Sequence, residues 1–132
     1  MLPLLLLVVN AWAQSNPIKI VFDITSKEEV AHQATMRHVN MMAAAYPDAE
    51  FEVVVYGGAL PMVLKDNSSV AEDILQFEGS KQVSIKVCEG TMKRHGVDIS
   101  ELLPGVSTVP DGILEIVTRQ GEGWGYIKET AN

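Results

Sequence analysis

The run Ile18-Lys19-Ile20-Val21-Phe22-Asp23-Ile24 is apolar and β-branched, with polar residues only at its second and sixth positions. That is the pattern of a strand buried on both faces, and it predicts a first strand over residues 18–24. Thr25 or Ser26 is suited to cap a following helix, with Glu28 and Glu29 in the first turn, where the helix dipole favours acids. Val30, Ala34, Val39, Met41, Met42 and Ala45 then recur at roughly helical spacing until Tyr46-Pro47-Asp48 stops the helix. Residues 51–56 (FEVVVY) predict a second strand ended by Gly57-Gly58, and Ser68 or Ser69 caps a second helix that runs through Phe77. Residues 83–87 predict a third strand and 89–95 a short helix closed by Gly96. A turn of helix over 100–103, a short strand over 105–109, a helix over 113–120 led in by Pro110-Asp111-Gly112, and a last strand over 124–127 complete the pattern.

Strand and helix alternate with about 30 residues per unit, which implies parallel strands joined by right-handed crossovers. The expected fold class is therefore α/β: a three-layer α/β/α domain with a mostly parallel sheet of about five strands, flavodoxin- or Rossmann-like in architecture. Ligand-binding and catalytic groups in such sheets gather beyond the carboxyl ends of the strands. Two segments meet that condition, Tyr56-Gly57-Gly58-Ala59-Leu60 and Cys88-Glu89-Gly90-Thr91.

The first sixteen residues carry no charged side chain, and the first basic residue is Lys19. The apolar run over 2–9 has the length of a signal-peptide core, far short of the roughly 20 residues that a membrane-spanning helix needs. Ala11-Trp12-Ala13 puts small residues at the two positions a signal peptidase reads, so cleavage is expected between Ala13 and Gln14. Residues 1–16 are thus expected to be an export signal and 17–132 one domain, in the periplasm or outside the cell. A basic segment ahead of the apolar run is missing, and the alternative is an apolar segment docked on the body.

Composition narrows the chemistry. With 17 Asp+Glu against 10 Lys+Arg the net charge is −7, which argues against nucleic acid or an anionic membrane surface as partner. A single cysteine excludes an internal disulfide framework and a cysteine-only zinc site. No glycine-rich phosphate loop or nucleophile elbow is present, and neither a cofactor nor a metal is expected. Cys88 stands at the end of a strand and the start of a helix, where the macrodipole and unpaired N–H groups favour a thiolate. Lys86, Lys93, Arg94 and His95 add positive charge nearby, whereas Glu89 opposes it if its carboxylate points the same way. Cys88, Met92 and His95 share a helical face, as do His38, Met41 and Met42, and thioether with thiolate or imidazole suits Cu(I); a helix packing its apolar face into a core is the commoner reason for either set. His32 reads as solvated and without a role, and Asp98, Glu101 and Asp111 read as turn and cap residues.

The segment VSIKVCEGTMKRHGVDISELLPGVSTVPDGILEIVTRQGEGWGYIK resembles the C-terminal half of the DsrE/DsrF-like family. There a strand ends in a cysteine, followed by a helix with a Thr-(Leu/Met)-Lys core, a Leu-Leu-Pro-like turn and a closing aromatic-glycine motif. The N-terminal half fits as well, with KIVFDIT, Asn40, Tyr46-Pro47-Asp48-Ala49 and FEVVVYGGAL, so that the resemblance spans about residues 17–128. It implies that Cys88 matches the position that carries persulfide sulfur in the sulfur-relay members, Gly57 the glycine after the second strand, and Gln120 with Trp124 the closing motif. It also implies a homo-oligomer, a trimer or hexamer, and a sulfur donor or acceptor, either a protein or a small thiol, as partner. Tyr56 stands where relatives often have His and Gly90 where they often have Asn; the sulfur-relay members, moreover, are cytoplasmic. The leading expectation is a sulfur carrier acting through Cys88. The alternatives are a non-catalytic oligomeric module binding a small ligand or peptide through Gly57, Gly58, Thr91 and Trp124, and Cu(I) binding.

Overall fold

A sheet in which every pairing is parallel needs a crossover for each strand, and here the direction of those crossovers fixes where the site lies. The computed structural model describes residues 17–131; the expected export signal, with its cleavage point near Ala13 and Gln14, lies outside them. The elements are β1 Lys19–Ile24, α1 Glu29–Ala45, β2 Glu50–Val55, a 3₁₀ segment Gly57–Val63, α2 Ala71–Leu75, β3 Val83–Cys88, α3 Glu89–Arg94, a 3₁₀ turn Ile99–Glu101, β4 Val106–Val109, α4 Gly112–Gly121 and β5 Gly125–Glu129. The five strands are ordered β4-β3-β2-β1-β5 and all pair in parallel. The expected α/β class and strand number therefore hold. Among the described residues no helix is long and apolar enough to cross a membrane.

Residues aligned across parallel strands project to the same side of the sheet. Ile20, Phe22 and Ile24 align with Phe51, Val53 and Val55, and these with Val83, Ile85 and Val87. That wholly apolar face carries the main core, together with Met36 and Val39 of α1, Met62 and Val63 of the 3₁₀ segment, Ile74 of α2 and Met92 of α3. The opposite face is mixed: Val21 and Asp23 align with Glu52 and Val54, which align in turn with Ser84 and Lys86. It holds α4 through a small cluster of Val21, Val54 and Ile116, edged by Tyr56 and Trp124.

The steps from β1 to β2, β3 and β4 move the same way across the sheet, with their helices on the apolar face. The step from β4 to β5 returns past β1, and a right-handed crossover in the reverse direction passes over the other face, where α4 packs on β1, β2 and β3. The connections that leave the carboxyl ends of the neighbouring strands β3 and β4 therefore part to opposite faces. Such a parting is where open α/β sheets form a crevice.

Three local expectations are corrected. The face of α1 set by the apolar spacing is buried only in part: Val39 is buried and Met42 packs against the core, but Val30 is 57% and Met41 63% exposed, while Ala31, His32, Thr35, Met36 and Ala43, outside that set, are buried. Polar residues serve on that buried face because their polar atoms find local partners: the Thr35 hydroxyl donates to the Ala31 carbonyl at 2.8 Å, and His32 Nε2 lies 2.7 Å from the Ser26 carbonyl oxygen. His32 is thus a buried structural residue, not a solvated one. The residue capping α1 is Glu28 rather than Thr25 or Ser26; the Ser26 hydroxyl instead accepts the Glu28 N–H at 3.1 Å in a tight turn. The 3₁₀ segment that begins at Gly57-Gly58 is not expected from the sequence, because the glycine pair reads as a terminator. The expected caps at the other end of the chain are present: Asp98 and Glu101 form a reciprocal capping box, and Asp111 Oδ1 accepts the N–H groups of Ile113 and Leu114 at 2.9 and 3.2 Å.

Candidate functional site

Cys88 is the last residue of β3 and the residue preceding α3. It projects toward the α4 side of the sheet, at the parting between β3 and β4. Its side chain is nearly buried, with 9% exposure, yet it lines a cleft of about 300 Å³ with Tyr56, Gly90, Thr91, Arg94, Pro110 and Ile113. The sulfur is enclosed but reachable.

Burial pushes the Cys88 thiol up. Four donors outweigh it: the N–H of Gly112, the N–H and hydroxyl of Thr91, and the N–H of Gly90, so that the thiol lies below its ordinary range. Two of the N–H groups come from the first turn of α3 and one from the first turn of α4, so two helices that part to opposite faces share one sulfur. Gly90 supplies a backbone donor, and a Cβ there would lie 3.5 Å from Sγ, in ordinary contact. Gly112 is more constrained, since a Cβ would lie 3.3 Å from both Cys88 Cβ and Tyr56 Cδ1. The start of α4 can sit this close to the sulfur only because residue 112 has no side chain.

Thr91 is buried and works in two directions, accepting the N–H of Gly57 at 3.0 Å while its hydroxyl serves the sulfur. Gly57 adopts φ +57°, the left-handed conformation that brings this N–H round after β2. Cys88, Thr91 and Gly57 are thus one hydrogen-bonded unit. Gly58 lies beside it but outside the cleft; a Cβ there would be 2.9 Å from the Thr25 carbonyl oxygen, so its role is close packing against the loop after β1. Trp124 is not brought to the site. It precedes β5, at the amino edge of the sheet, where the Arg119 guanidinium lies 4.9 Å and Lys19 Nζ 5.9 Å from its ring.

The charge balance that adjacency left open is settled by strand parity. Glu89 Oε1 accepts the hydroxyl of Thr108 at 2.8 Å, and Thr108 aligns with Val87, on the face away from the Cys88 side chain. Arg94 lines the cleft and forms no ion pair among the described residues. Tyr56 lines the cleft as well: burial first, then the bond from its hydroxyl to Asp23, drive it well above the ordinary tyrosine range, so it stays protonated. The same Asp23 accepts the hydroxyl of Tyr126 and lies 3.2 Å from Lys128 Nζ, and the bond to Asp23 and then burial push Tyr126 up to about 12.

The soft-metal sets are not assembled here as the helical face suggests. Met92 packs in the main core while His95 is exposed at the end of α3. His38 Nδ1 lies 2.8 Å from Glu129 Oε1, and Met41 is exposed. Among the described residues no three His, Cys, Asp or Glu side chains cluster as a metal site. Gly112 and Asp23 are the site residues missed by sequence reasoning; Arg94 is the one of the nearby cations that lines the cleft. Gly112 was visible only as part of a turn, and Asp23 shares its face with Tyr56 and Cys88 through an alternation that becomes informative only once the register is known.

The DsrE/DsrF-like family model matches residues 19–128. No curated protein matches the chain. Among solved structures, a protein of unknown function from Methanobacterium thermoautotrophicum is similar, with a TM-score of 0.77 and 31% identity over 84% of this chain and 98% of that one. The ychN protein from E. coli (TM-score 0.68, 13% identity, 86% of this chain and 98% of that one) shares the fold. So does a conserved protein of unknown function from Bacteroides thetaiotaomicron (TM-score 0.64, 15% identity, 83% of this chain and 93% of that one).

Proposed function

The chain belongs to the DsrE/DsrF-like family, and from that premise we propose that it is a sulfur carrier whose Cys88 holds sulfur as a persulfide. The observation that carries this reading is a nearly buried thiol, open to a cleft and held below its ordinary range by four donors. The Cys88 thiolate attacks the terminal sulfur of a donor persulfide R–S–SH; the new S–S bond forms as the donor S–S bond breaks, and the donor leaves as its thiolate. An acceptor thiolate then attacks the terminal sulfur of the Cys88 persulfide and regenerates the Cys88 thiolate. No net oxidation occurs in either step, so neither metal nor redox cofactor enters the balance. One nucleophile suffices, which fits a chain with one cysteine.

The partner in this reading is a protein thiol or a small thiol. A homo-oligomer, trimer or hexamer, is supported by the ridge of Ile113, Leu114 and Val117 on α4, each more than half exposed and continuous with the cleft through Ile113. Action in the periplasm or outside the cell is supported by the uncharged apolar segment at 1–16 with its Ala11-Trp12-Ala13 end. A binding module using Gly57, Gly58, Thr91 and Trp124 together has less support, since Trp124 is at the opposite edge of the sheet. The test is to load the intact chain from a small persulfide donor and follow the sulfur, by mass, onto an added thiol. The expected course is gain and then loss of one sulfur, both absent in Cys88→Ser; a sulfur that loads equally on Cys88→Ser overturns the reading.

A further inference from the structure

The cleft beside Cys88 carries one cation that the fold itself does not engage. Arg94 lines it, is exposed, and forms no ion pair among the described residues. Much of the remaining wall is apolar, from Tyr56, Pro110 and Ile113, and Asp111 is its one acid. Asp111 Oδ1 already accepts the N–H groups of Ile113 and Leu114 at 2.9 and 3.2 Å, so its charge is met by the positive end of α4. Glu89, next to Cys88 in the chain, is held by Thr108 and lines a separate hollow with Lys93 and Asp98. The dipole of α3 favours a cation in its last turn and so accounts for both Lys93 and Arg94. It does not account for their division: Lys93 lines the hollow with Glu89, whereas Arg94, three residues on from Thr91 and four from Gly90, shares the helical face that lines the cleft.

We propose that Arg94 is the specificity-determining residue of the cleft, and that it selects a small thiol bearing a carboxylate, together with the persulfide of that thiol, as the partner of Cys88. The proposal rests on the reading of Cys88 as a sulfur carrier and narrows the partner of that reading. A cleft of about 300 Å³ lies at the small end of ligand sites, so a molecule of a few carbons that has its sulfur at Cys88 has its far end beside Arg94. A guanidinium fork without a protein partner matches a carboxylate there. The chain as a whole carries a charge of −7, so an anion is disfavoured everywhere except where a local cation receives it. In off-loading, the carboxylate pairs with Arg94 while the thiolate of the same molecule attacks the terminal sulfur of the Cys88 persulfide. The S–S bond to Cys88 breaks as the new one forms, Cys88 leaves as its thiolate, and the small thiol departs as a persulfide. Loading is the reverse of this step, so one cleft serves donor and acceptor, and neither direction needs an oxidant or a reductant.

The experiment compares anionic and neutral probes of one shape on the full chain. Iodoacetate and iodoacetamide read the cleft through alkylation of Cys88, and 3-mercaptopropionate and 3-mercaptopropionamide, added to the persulfide-loaded chain, read off-loading. For each pair the ratio of rates, anion over neutral, is measured at low salt in the native protein, Arg94→Gln, Arg94→Lys and Lys93→Gln. A change in the acidity or exposure of the thiol moves both members of a pair and leaves the ratio alone. Arg94→Gln is expected to lower both ratios by a factor of about 3 to 5, as for a partly exposed ion pair. Arg94→Lys keeps the charge and is expected to keep most of the preference. Lys93→Gln removes the same charge from the same turn, outside the cleft, and is expected to leave both ratios at native values. Salt at about 1 M is expected to bring the native ratios down to those of Arg94→Gln. Ratios in Arg94→Gln equal to the native ones, or an equal fall in Lys93→Gln, overturn the proposal. Failure of the sulfur-carrier reading is separate: it appears as no sulfur gained by the native chain from a persulfide donor, whereas the alkylation ratios are read on the thiol alone.

Discussion

The N–H of Gly57 and the side chain of Thr91 meet at 3.0 Å, joining the turn after β2 to the first turn of α3. The Thr91 hydroxyl passes that connection on to the Cys88 sulfur. One buried hydroxyl thus holds two loops and helps to stabilise a thiolate.

Replacing Thr91 with Val removes the hydroxyl while keeping the shape. The thiol is expected to move up toward its ordinary range, and alkylation at neutral pH to slow by a factor of about 3 to 10. Stability is expected to fall by about 1–2 kcal/mol, because the Gly57 N–H is left without its acceptor. Thr91→Ser is expected to keep both properties near native values. Alkylation kinetics and urea denaturation check these outcomes together; a Thr91→Val protein as reactive as the native one contradicts the assigned role.

Gly112→Ala tests the closeness of α4 to the sulfur. The added Cβ meets Cys88 and Tyr56 at 3.3 Å, so the helix start must shift by a few tenths of an ångström. A loss of about 1 kcal/mol is expected from crowding, although the same change elsewhere in a helix is normally favourable. Slower alkylation should accompany it. A more stable and equally reactive variant would contradict the close approach.

The pH dependence of stability separates Glu52 from Cys88. Glu52 lies above its ordinary value in the folded chain, so its contribution is present below about 4.5 and is lost as pH rises through about 7. Cys88 lies below its ordinary value, so its contribution is present above the ordinary thiol range and is lost as pH falls through the folded value. Glu52→Gln is therefore expected to gain on the native protein by about 1–2 kcal/mol between mildly acidic pH and about pH 8. Urea midpoints at both pH values check it, and a difference that does not change with pH contradicts it.

Leu114 lies on the exposed apolar ridge of α4, away from the sheet. Leu114→Glu is expected to leave the folded chain intact by circular dichroism and to weaken self-association at micromolar concentration, as read by light scattering. A native protein that is monomeric under those conditions contradicts the oligomer.

The fold was largely legible in the sequence, and the site only in part. The strands of the parallel sheet are written as β-branched runs such as residues 18–24 and 51–56, and the buried apolar face leaves little choice of register. Cys88, Gly57 and Thr91 followed from their position at strand ends. Gly112 did not, because nothing local distinguishes a glycine that admits a sulfur from one that begins a helix. Only part of the buried face of α1 can be read from apolar spacing, because His32 and Thr35 bury polar atoms against backbone carbonyls, which a count of apolar side chains passes over. Trp124 was grouped with the cysteine through a shared family motif. Only the pairing of β5 with β1 puts it at the far edge.

The central claim is that Cys88 accepts sulfur. Mass spectrometry of the intact native chain after incubation with a small persulfide donor tests it most directly, alongside Cys88→Ser treated identically. The expected result is a gain of one sulfur atom on the native chain, removed by a thiol reductant, and no gain on Cys88→Ser. A native chain of unchanged mass, or an equal gain on Cys88→Ser, contradicts it.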